Sequence, residues 1–296
     1  MQIGVFVGPP TLDEAFEEAR WAASAGLSTV WVPQIFGWDA LTLIALLGRE
    51  VDGVEFGTSV VPTYPRHPLV LAGQALTTQA ATGGRLTLGI GLSHQIVVEN
   101  MWGHSFDKPA RHMREYLSAL LPLLADRAVG FQGETLKAMG QLTLPPCDPP
   151  PVLLAALAPQ MLRLAGAVAD GTITWMVGLK TLGSHIVPSI TAAAEKASKP
   201  EPRVVCALPV AVCDDVEDAR ERAAKGFAIY DTLPSYKAML DREGAQGPRD
   251  VAVVGDESSV AEQIEAFIAQ GATEFVAVVF HERDRTKQLL AKLASG

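Results

Sequence analysis

Short apolar runs alternate with stretches of helical periodicity along almost the whole chain. Eight of these runs are apolar enough for strands that are buried on both faces. They lie at residues 2–7, 28–33, 54–61, 86–91, 152–157, 172–177, 203–212 and 274–280. The stretches between them predict helices at residues 12–25, 39–48, 67–81, 108–126, 181–198, 216–243, 258–270 and 283–294, with one more that begins at Pro159 and a break near Pro234. This alternation predicts an α/β fold, namely a (β/α)8 TIM barrel.

The interval around residues 129–151 interrupts the alternation, because it is rich in Gly and Pro. It contains three possible short strands, at residues 129–131, 135–138 and 141–144. We interpret the interval as an insertion in the barrel and not as a domain boundary, so residues 1–296 are expected to form one domain. A doubly wound sheet is the alternative fold, but such sheets usually have fewer strands and a clearer glycine fingerprint.

The segment from Pro151 to Gly178 carries the clearest chemical signal. It predicts a strand, a helix beginning near Pro159 and a second parallel strand, with Ala155 and Ala156 at the first turn. A helix that starts directly after a strand presents backbone N–H groups without intrahelical partners, and such groups bind anions. The local pattern fits equally well an ordinary βαβ unit whose helix start binds only water.

Composition and charge restrict the possible partners. A formal net charge of −9, without a cluster of Lys and Arg, argues against nucleic acid. No apolar run approaches the roughly 20 residues needed to cross a bilayer, and the N-terminus does not resemble a signal peptide. Cys147, Cys206 and Cys213 form no CxxC pair, which fits a reducing cytoplasm. We therefore expect a cytoplasmic protein with no membrane or nucleic-acid partner.

Metal-dependent and hydrolytic chemistry find no support in the motifs. His94, His104 and His112 do not have the spacing of an HExxH pair, and no nearby carboxylate completes a triad. The sequence also lacks a GxSxG elbow and a GxxxxGK[ST] loop. No metal site is expected.

Two glycines at the end of a predicted strand, Gly89 and Gly91, begin a motif that resembles a dinucleotide fingerprint. His94 stands where the third glycine should be, so the Rossmann interpretation fails. The glycines either let a flat ligand lie against bare backbone or fit a crowded barrel rim. His94 is either an acid–base group or a structural hydrogen-bonding residue.

Four segments resemble the luciferase-like superfamily of flavin and deazaflavin proteins. They are residues 57–72 (GTSVVPTYPRHPLVLA), 85–95 (RLTLGIGLSHQ), 155–178 (AALAPQMLRLAGAVADGTITWMVG) and the tail from 236–241 to 254–256. The combination is most similar to the coenzyme F420-dependent oxidoreductase branch. That resemblance implies a TIM barrel with an insertion region, a homodimer, and a 5-deazaflavin cofactor in place of FMN.

The resemblance also implies roles for individual residues. A cis peptide bond is expected at Ser59–Val60, beneath the central ring of the cofactor. The remaining expected cofactor contacts are Leu92, Ser93 and His94 along the ring, Ala155, Ala156 and Leu157 before the phosphate-binding helix, and Thr174 and Trp175 after the next strand. We add Arg66 as a contact for the acidic tail of coenzyme F420.

One departure from the family bears on the reaction. Relatives that oxidise sugar phosphates carry an Asp-His pair where this chain has Gln34-Ile35, and isoleucine cannot transfer a proton. We therefore expect hydride transfer between the deazaflavin C5 and a different small organic substrate, with no catalytic residue assigned. The expected substrate pocket is Gln34, Trp38, Trp102 and Phe227, although each aromatic residue alone fits core packing equally well. The alternatives are an FMN-dependent monooxygenase and a non-catalytic F420-binding protein.

Overall fold

Eight parallel strands close into a barrel in the computed structural model, which describes residues 1–8 and 11–296. The strands of the protein are β1 Ile3–Phe6, β2 Thr29–Val32, β3 Glu55–Thr58, β4 Val61–Pro62, β5 Leu86–Gly91, β6 Ala128–Gln132, β7 Lys137–Gln141, β8 Val152–Leu154, β9 Gly171–Trp175, β10 Arg203–Val212, β11 Val253–Gly255 and β12 Glu274–Val279. The barrel order is β1-β2-β3-β5-β8-β9-β10-β12, and β12 pairs with β1 to close it. The predicted TIM barrel is confirmed.

Helices follow most of the barrel strands. They are α1 Leu12–Ser24, α2 Ala40–Glu50, α3 Pro68–Ala81, α4 Gln95–Asn100, α5 Pro109–Asp126, α6 Pro159–Val168, α7 Leu179–Thr181, α8 Val187–Lys196, α9 Val216–Gly226, α10 Pro234–Glu243, α11 Pro248–Val251, α12 Glu257–Ala269 and α13 Arg283–Ser295. Thr11, Asp39, Asp215 and Asp256 cap helix starts, each accepting a backbone N–H from three residues further on. In the part of the chain that is described, no helix is both long and apolar enough to span a membrane.

Two of the predicted helices are interrupted. A π-helical turn at Leu182–Ile186 joins α7 to α8 within the predicted helix 181–198. The predicted helix 216–243 is divided into α9 and α10 by a 3-10 turn at Ala228–Asp231. The break begins at Phe227, earlier than expected from Pro234, because Phe227 packs against Trp175 at the carboxyl end of the barrel.

The strand predictions differ from the structure mainly at the strand ends. The predicted strand 54–61 ends as β3 at Thr58 and resumes as β4 only after the Ser59–Val60 bond. The predicted strand 152–157 ends at Leu154, because the turn toward α6 begins at Ala155. The short elements β11, α4 and α11 were not predicted, since each has too few residues for a recognisable period.

The insertion contains an antiparallel hairpin, β6–β7. Two of the three predicted strand pieces overlap these strands, whereas of the third, at residues 141–144, only Gln141 lies in a strand, as the last residue of β7. Just after β7, the Leu142 N–H donates to the Arg127 carbonyl at 2.7 Å. The Glu115 carboxylate of α5 accepts N–H groups of Glu134 and Thr135 at 3.0 and 2.7 Å, which fixes the hairpin tip to the barrel.

A charged group is buried at the amino end of the barrel interior. The Glu274 carboxylate, at the start of β12, is fully buried and accepts hydrogen bonds from Thr29 and from the Trp31 indole, at 2.7 Å for the indole. Arg203 pairs with its other oxygen at 3.1 Å. Because a buried carboxylate is stable only with such partners, this network belongs to the barrel floor and not to the opposite rim.

Candidate functional site

Most of the residues predicted to bind a cofactor follow four strands that are neighbours in the barrel, β3, β5, β8 and β9. These residues are Ser59 and Val60 after β3, Leu92, Ser93 and His94 after β5, Ala155, Ala156 and Leu157 after β8, and Thr174 and Trp175 at the end of β9. Since the strands are parallel, the residues form one continuous arc at the carboxyl rim, where barrel enzymes place their active sites.

The rim beside β3 is closely packed. The Ser59–Val60 peptide bond is cis, which confirms the conformation implied by the resemblance. A β-carbon at Gly91 would lie 2.7 Å from a Val60 methyl group, and one at Gly89 would collide with the Thr58 carbonyl. Of the two interpretations of these glycines, the structure supports the crowded rim, because protein atoms already fill the space beside them.

Trp175 is the centre of an aromatic cluster over the barrel mouth. Its ring centroid lies 6.4 Å from that of Phe6 and 5.6 Å from those of Phe227 and Tyr230. The indole N–H is buried and makes no hydrogen bond among the described residues. Its proximity to the Tyr230 hydroxyl offsets part of the pKa rise that burial causes there, although the two groups do not meet the geometry of a hydrogen bond. A bound molecule with an acceptor atom would satisfy this donor.

His94 approaches the same mouth from β5. Ser93, with φ of 62°, turns the chain so that the His94 ring lies 5.5 Å from the Tyr236 ring. Burial lowers the pKa of His94 and raises that of Tyr236, so both are uncharged at neutral pH. Thr174, by contrast, is buried and donates its hydroxyl to the Val205 carbonyl at 3.4 Å, which directs it away from the mouth.

The turn from β8 into α6 is open to solvent at its helix start. Ala158, at the N-cap position, and Gln160 are exposed, and no described side chain caps the first turn. Ala156 is fully buried, so its side chain faces the core and not the surface on which an anion would lie. The amide groups of this helix start are therefore accessible, although Pro159 contributes none.

The neighbouring turn, from β9 into α7, is already occupied. The Glu243 carboxylate of α10 accepts the N–H groups of Lys180 and Thr181 at 3.1 and 2.7 Å. A β-carbon at Gly178 would collide with the same carboxylate. This helix start is thus satisfied from within the protein.

Arg66 lies in a polar cavity of about 630 Å³ between the β4–α3 loop, α5 and the hairpin tip. Its guanidinium forms an ion pair with Asp39. Although burial acts to raise the pKa of Asp39, hydrogen bonds from Thr42 and Arg66 hold it below its usual value. The carboxylate therefore stays charged and compensates Arg66, so an acidic ligand would compete with Asp39.

His112 lines the same cavity and was not singled out by its sequence context as a site residue. Its ring stacks on Tyr64 at 4.0 Å, and its Nε2 lies 3.1 Å from the Thr63 hydroxyl. Burial is the main cause that lowers the pKa of His112 to about 4. Burial, together with Asp107 and Glu99, raises the pKa of Tyr64 to about 12.

The described residues contain no group of His, Cys, Asp and Glu that could hold a metal ion.

The four residues of the predicted substrate pocket lie in three different loops. Phe227 contacts Trp175, as described above, whereas Trp102 is half-buried just beyond α4. The Gln34 side-chain oxygen accepts the Ala40 N–H at 2.7 Å and so supports the start of α2. Trp38 lines a cavity of about 550 Å³ at the ends of β1 and β2, whose described lining is Val7, Gly8, Val32, Pro33, Ile35, Gly37, Trp38 and Leu43.

Comparison with known proteins supports the resemblance seen in the sequence. A model of the luciferase-like monooxygenase family matches residues 1–274. A putative coenzyme F420-dependent oxidoreductase of Mycobacterium tuberculosis is 27% identical over 272 residues, which cover 85% of this chain and 75% of that relative. The F420-dependent tetrahydromethanopterin reductase structure from Methanopyrus kandleri shares the fold, with a TM-score of 0.83, 20% identity and coverage of 98% and 97%.

A structure with a different cofactor shares the same fold. It is a type II Baeyer–Villiger monooxygenase from Pseudomonas putida in complex with FMN, with a TM-score of 0.77, 17% identity and coverage of 99% of this chain and 96% of that one. The fold alone therefore does not distinguish the two cofactors. The family match extends over most of the chain, and the barrel agrees with it. The chain belongs to the luciferase-like monooxygenase family.

Proposed function

We propose that the protein is a coenzyme F420-dependent oxidoreductase that transfers a hydride between the deazaflavin C5 and a small organic substrate. The observation that carries this proposal is the arc of predicted cofactor residues on four neighbouring strands, beside a helix start that is uncapped. Relatives named as F420-dependent enzymes favour this cofactor over FMN.

The residues of the arc fit the two ends of such a cofactor. The start of α6 offers exposed amides to the phosphate, as helix starts do in many nucleotide sites. Ser59, Val60, Leu92, Ser93 and His94 would border the ring. Trp175 would donate its unpaired N–H to a ring acceptor. Thr174 would not contact the cofactor through its hydroxyl, because this hydroxyl donates to the Val205 carbonyl of β10 and so links β9 to β10.

The deazaflavin would supply a hydride carrier that reacts poorly with oxygen. The protein's part is to position the substrate and to hold a proton nearby. Of the groups at the mouth, a neutral His94 can accept a proton and return it, and the Tyr236 phenol can donate a hydrogen bond to charge that develops on the substrate. Gln34 and Ile35 cannot fill this role, because Gln34 is bound to α2 and Ile35 has no proton to give.

The substrate is expected to be small and largely apolar. The cavity beside Trp38 has no ionisable side chain in its described lining, and the aromatic cluster around Trp175 adds further apolar surface. Such walls disfavour sugar phosphates, whose charge would lose its hydration there without gaining a partner. The resemblance leads us to propose a homodimer, and the cysteine pattern leads us to propose a cytoplasmic location.

The proposal is tested by titrating the purified protein with F420 and FMN, then offering the preferred reduced cofactor to enones and imines. Loss of the reduced-deazaflavin absorbance with a matching amount of reduced product would support it. Preference for FMN with oxygen consumption would identify a monooxygenase. Tight F420 binding without turnover across the panel would favour the non-catalytic binding protein.

A further inference from the structure

We propose that His185 is a positioning residue for the phosphate site, because it holds the β8–α6 turn with its amide groups facing outward. The inference rests on the proposed function in one respect: it takes the α6 start as the site of the cofactor phosphate.

His185 reaches the turn through the π-helical segment. The turn at Leu182–Ile186 contains one more residue than an α-helical turn, and such insertions are frequent at functional sites. It places the His185 side chain in the interior, with 6% of its surface exposed. The ring Nε2 lies 2.8 Å from the Leu157 carbonyl oxygen, so the imidazole donates a hydrogen bond to it.

This bond determines the direction of the next amide group. In a trans peptide unit the C=O and the following N–H point in opposite directions. Because the Leu157 carbonyl points at His185, the Ala158 N–H points away from it, toward the exposed start of α6. The imidazole thus controls the orientation of one amide at the proposed phosphate site.

A second side chain restrains the same turn from β9. The Thr172 hydroxyl donates to the Leu154 carbonyl at 2.8 Å and lies 3.4 Å from the Ala156 carbonyl. The carbonyl oxygens of Leu154 and Ala156, on either side of Ala155, therefore both face Thr172 in the protein interior. Without His185, the Leu157 carbonyl would lose its buried partner, and its peptide unit could rotate to present oxygen to an anion.

The test compares two ligands that differ only at the phosphate end: F420, and the deazaflavin riboside that lacks the phosphate and the tail. In His185→Leu, the dissociation constant for F420 should rise about tenfold, whereas that for the riboside should change by less than about twofold. His185→Gln, which keeps a side-chain donor, should recover part of the F420 affinity. Ser184→Ala is the matched control, because Ser184 lies in the same π-helical turn but bonds Lys180.

Thermal unfolding of each variant shows whether the fold is retained. An equal loss of affinity for both ligands in His185→Leu, or no loss for either, would overturn the inference and leave the proposed function intact. If the unaltered protein binds neither F420 nor FMN, the proposed function fails, and the role of His185 fails with it. If His185→Leu does not fold, His185→Phe, which keeps a ring but has no hydrogen-bond donor, is judged by the same criteria.

Discussion

Two adjacent helix starts at the barrel mouth differ in whether a side chain of the protein binds their first amide groups. At the β8–α6 turn the first amides of the helix are exposed and uncapped by any described side chain. At the β9–α7 turn the Glu243 carboxylate takes the amides of Lys180 and Thr181. Both starts follow a barrel strand at the carboxyl rim and begin with N–H groups that have no intrahelical partner, so their capacity for an anion depends on whether the protein supplies its own carboxylate.

The largest effect is predicted for a variant that gives the open start of α6 a carboxylate, as Glu243 gives one to the occupied start of α7. Ala158→Asp places a carboxylate at the N-cap of α6, where it would accept the first amides and repel a phosphate. We expect F420 affinity to fall about a hundredfold, since about 3 kcal/mol of charge-assisted contacts would be lost or opposed. Isothermal titration measures this change.

Ala158→Ser is the matched control for that variant, because it caps the helix without adding charge. It should bind F420 within about fivefold of the unaltered protein. Ala158→Asp should also melt at the same temperature or higher, which separates ligand loss from unfolding. Full retention of F420 affinity in Ala158→Asp would place the phosphate elsewhere.

The cavity that contains Arg66 and His112 extends the comparison to a second buried group whose charge the protein controls. His112 faces that cavity, and its pKa of about 4 lies below the 6.5 of an unperturbed histidine. The unfolded chain therefore binds more protons between these values, so the free energy of unfolding falls as the pH drops from 6.5 toward 4. We expect this group to account for a loss of about 2 kcal/mol between pH 7 and pH 4, after allowance for solvent screening of the exposed part of the ring.

His112→Phe should remove that part of the pH dependence, as urea unfolding at pH 7 and pH 4 would show. Leu136→Ala is its control, because Leu136 lines the same cavity but does not titrate, so this variant should leave the pH dependence nearly unchanged. Equal pH dependence in His112→Phe and the unaltered protein would mean that the His112 ring is not held neutral.

Opening the occupied start should have a smaller effect. Glu243→Ala removes the acceptor of two α7 amides, and we expect the free energy of unfolding to drop by about 1 kcal/mol. Glu243→Gln, which keeps one acceptor oxygen, should lose less. F420 affinity should stay within about twofold in both, because the phosphate is assigned to α6. A large gain or loss of affinity in Glu243→Ala would show that α7 also takes part in binding.

The smallest effect is expected at Arg66. Because Asp39 already compensates its charge, Arg66→Gln should weaken F420 binding by only about threefold through a contact with the acidic tail. Removing a full ionic contact would instead cost about 1.5–3 kcal/mol, or more than about tenfold in affinity. Lys108→Gln, on the same cavity, provides the comparison.

The barrel and the α6 start could be predicted because their signals are local. Apolar runs, helical periodicity and the Ala-Pro junction before residue 160 all lie within a few residues of the elements that they specify. The cis bond at Ser59–Val60 followed from the resemblance and not from the local pattern.

The features that decide the chemistry depend on contacts between distant parts of the chain. Glu243 reaches α7 across 62 residues of sequence, and His185 reaches Leu157 across 28. The burial of Glu274 on the barrel floor likewise depends on Arg203, 71 residues away. Hydrophobic periodicity contains no information about such pairs, because it reports which face of an element is buried and not what lies opposite.

Our central claim is that the uncapped start of α6 and the adjoining arc of rim residues bind a deazaflavin in preference to FMN. Parallel titrations with F420 and FMN at low and high salt test this claim most directly. Oxygen uptake is recorded with each reduced cofactor. We predict tighter binding of F420 and a steeper loss of its affinity as salt rises, because its acidic tail adds charge. We also predict no oxygen uptake beyond that of the free reduced cofactor. Tighter binding of FMN, with oxygen consumed during turnover, would contradict the claim.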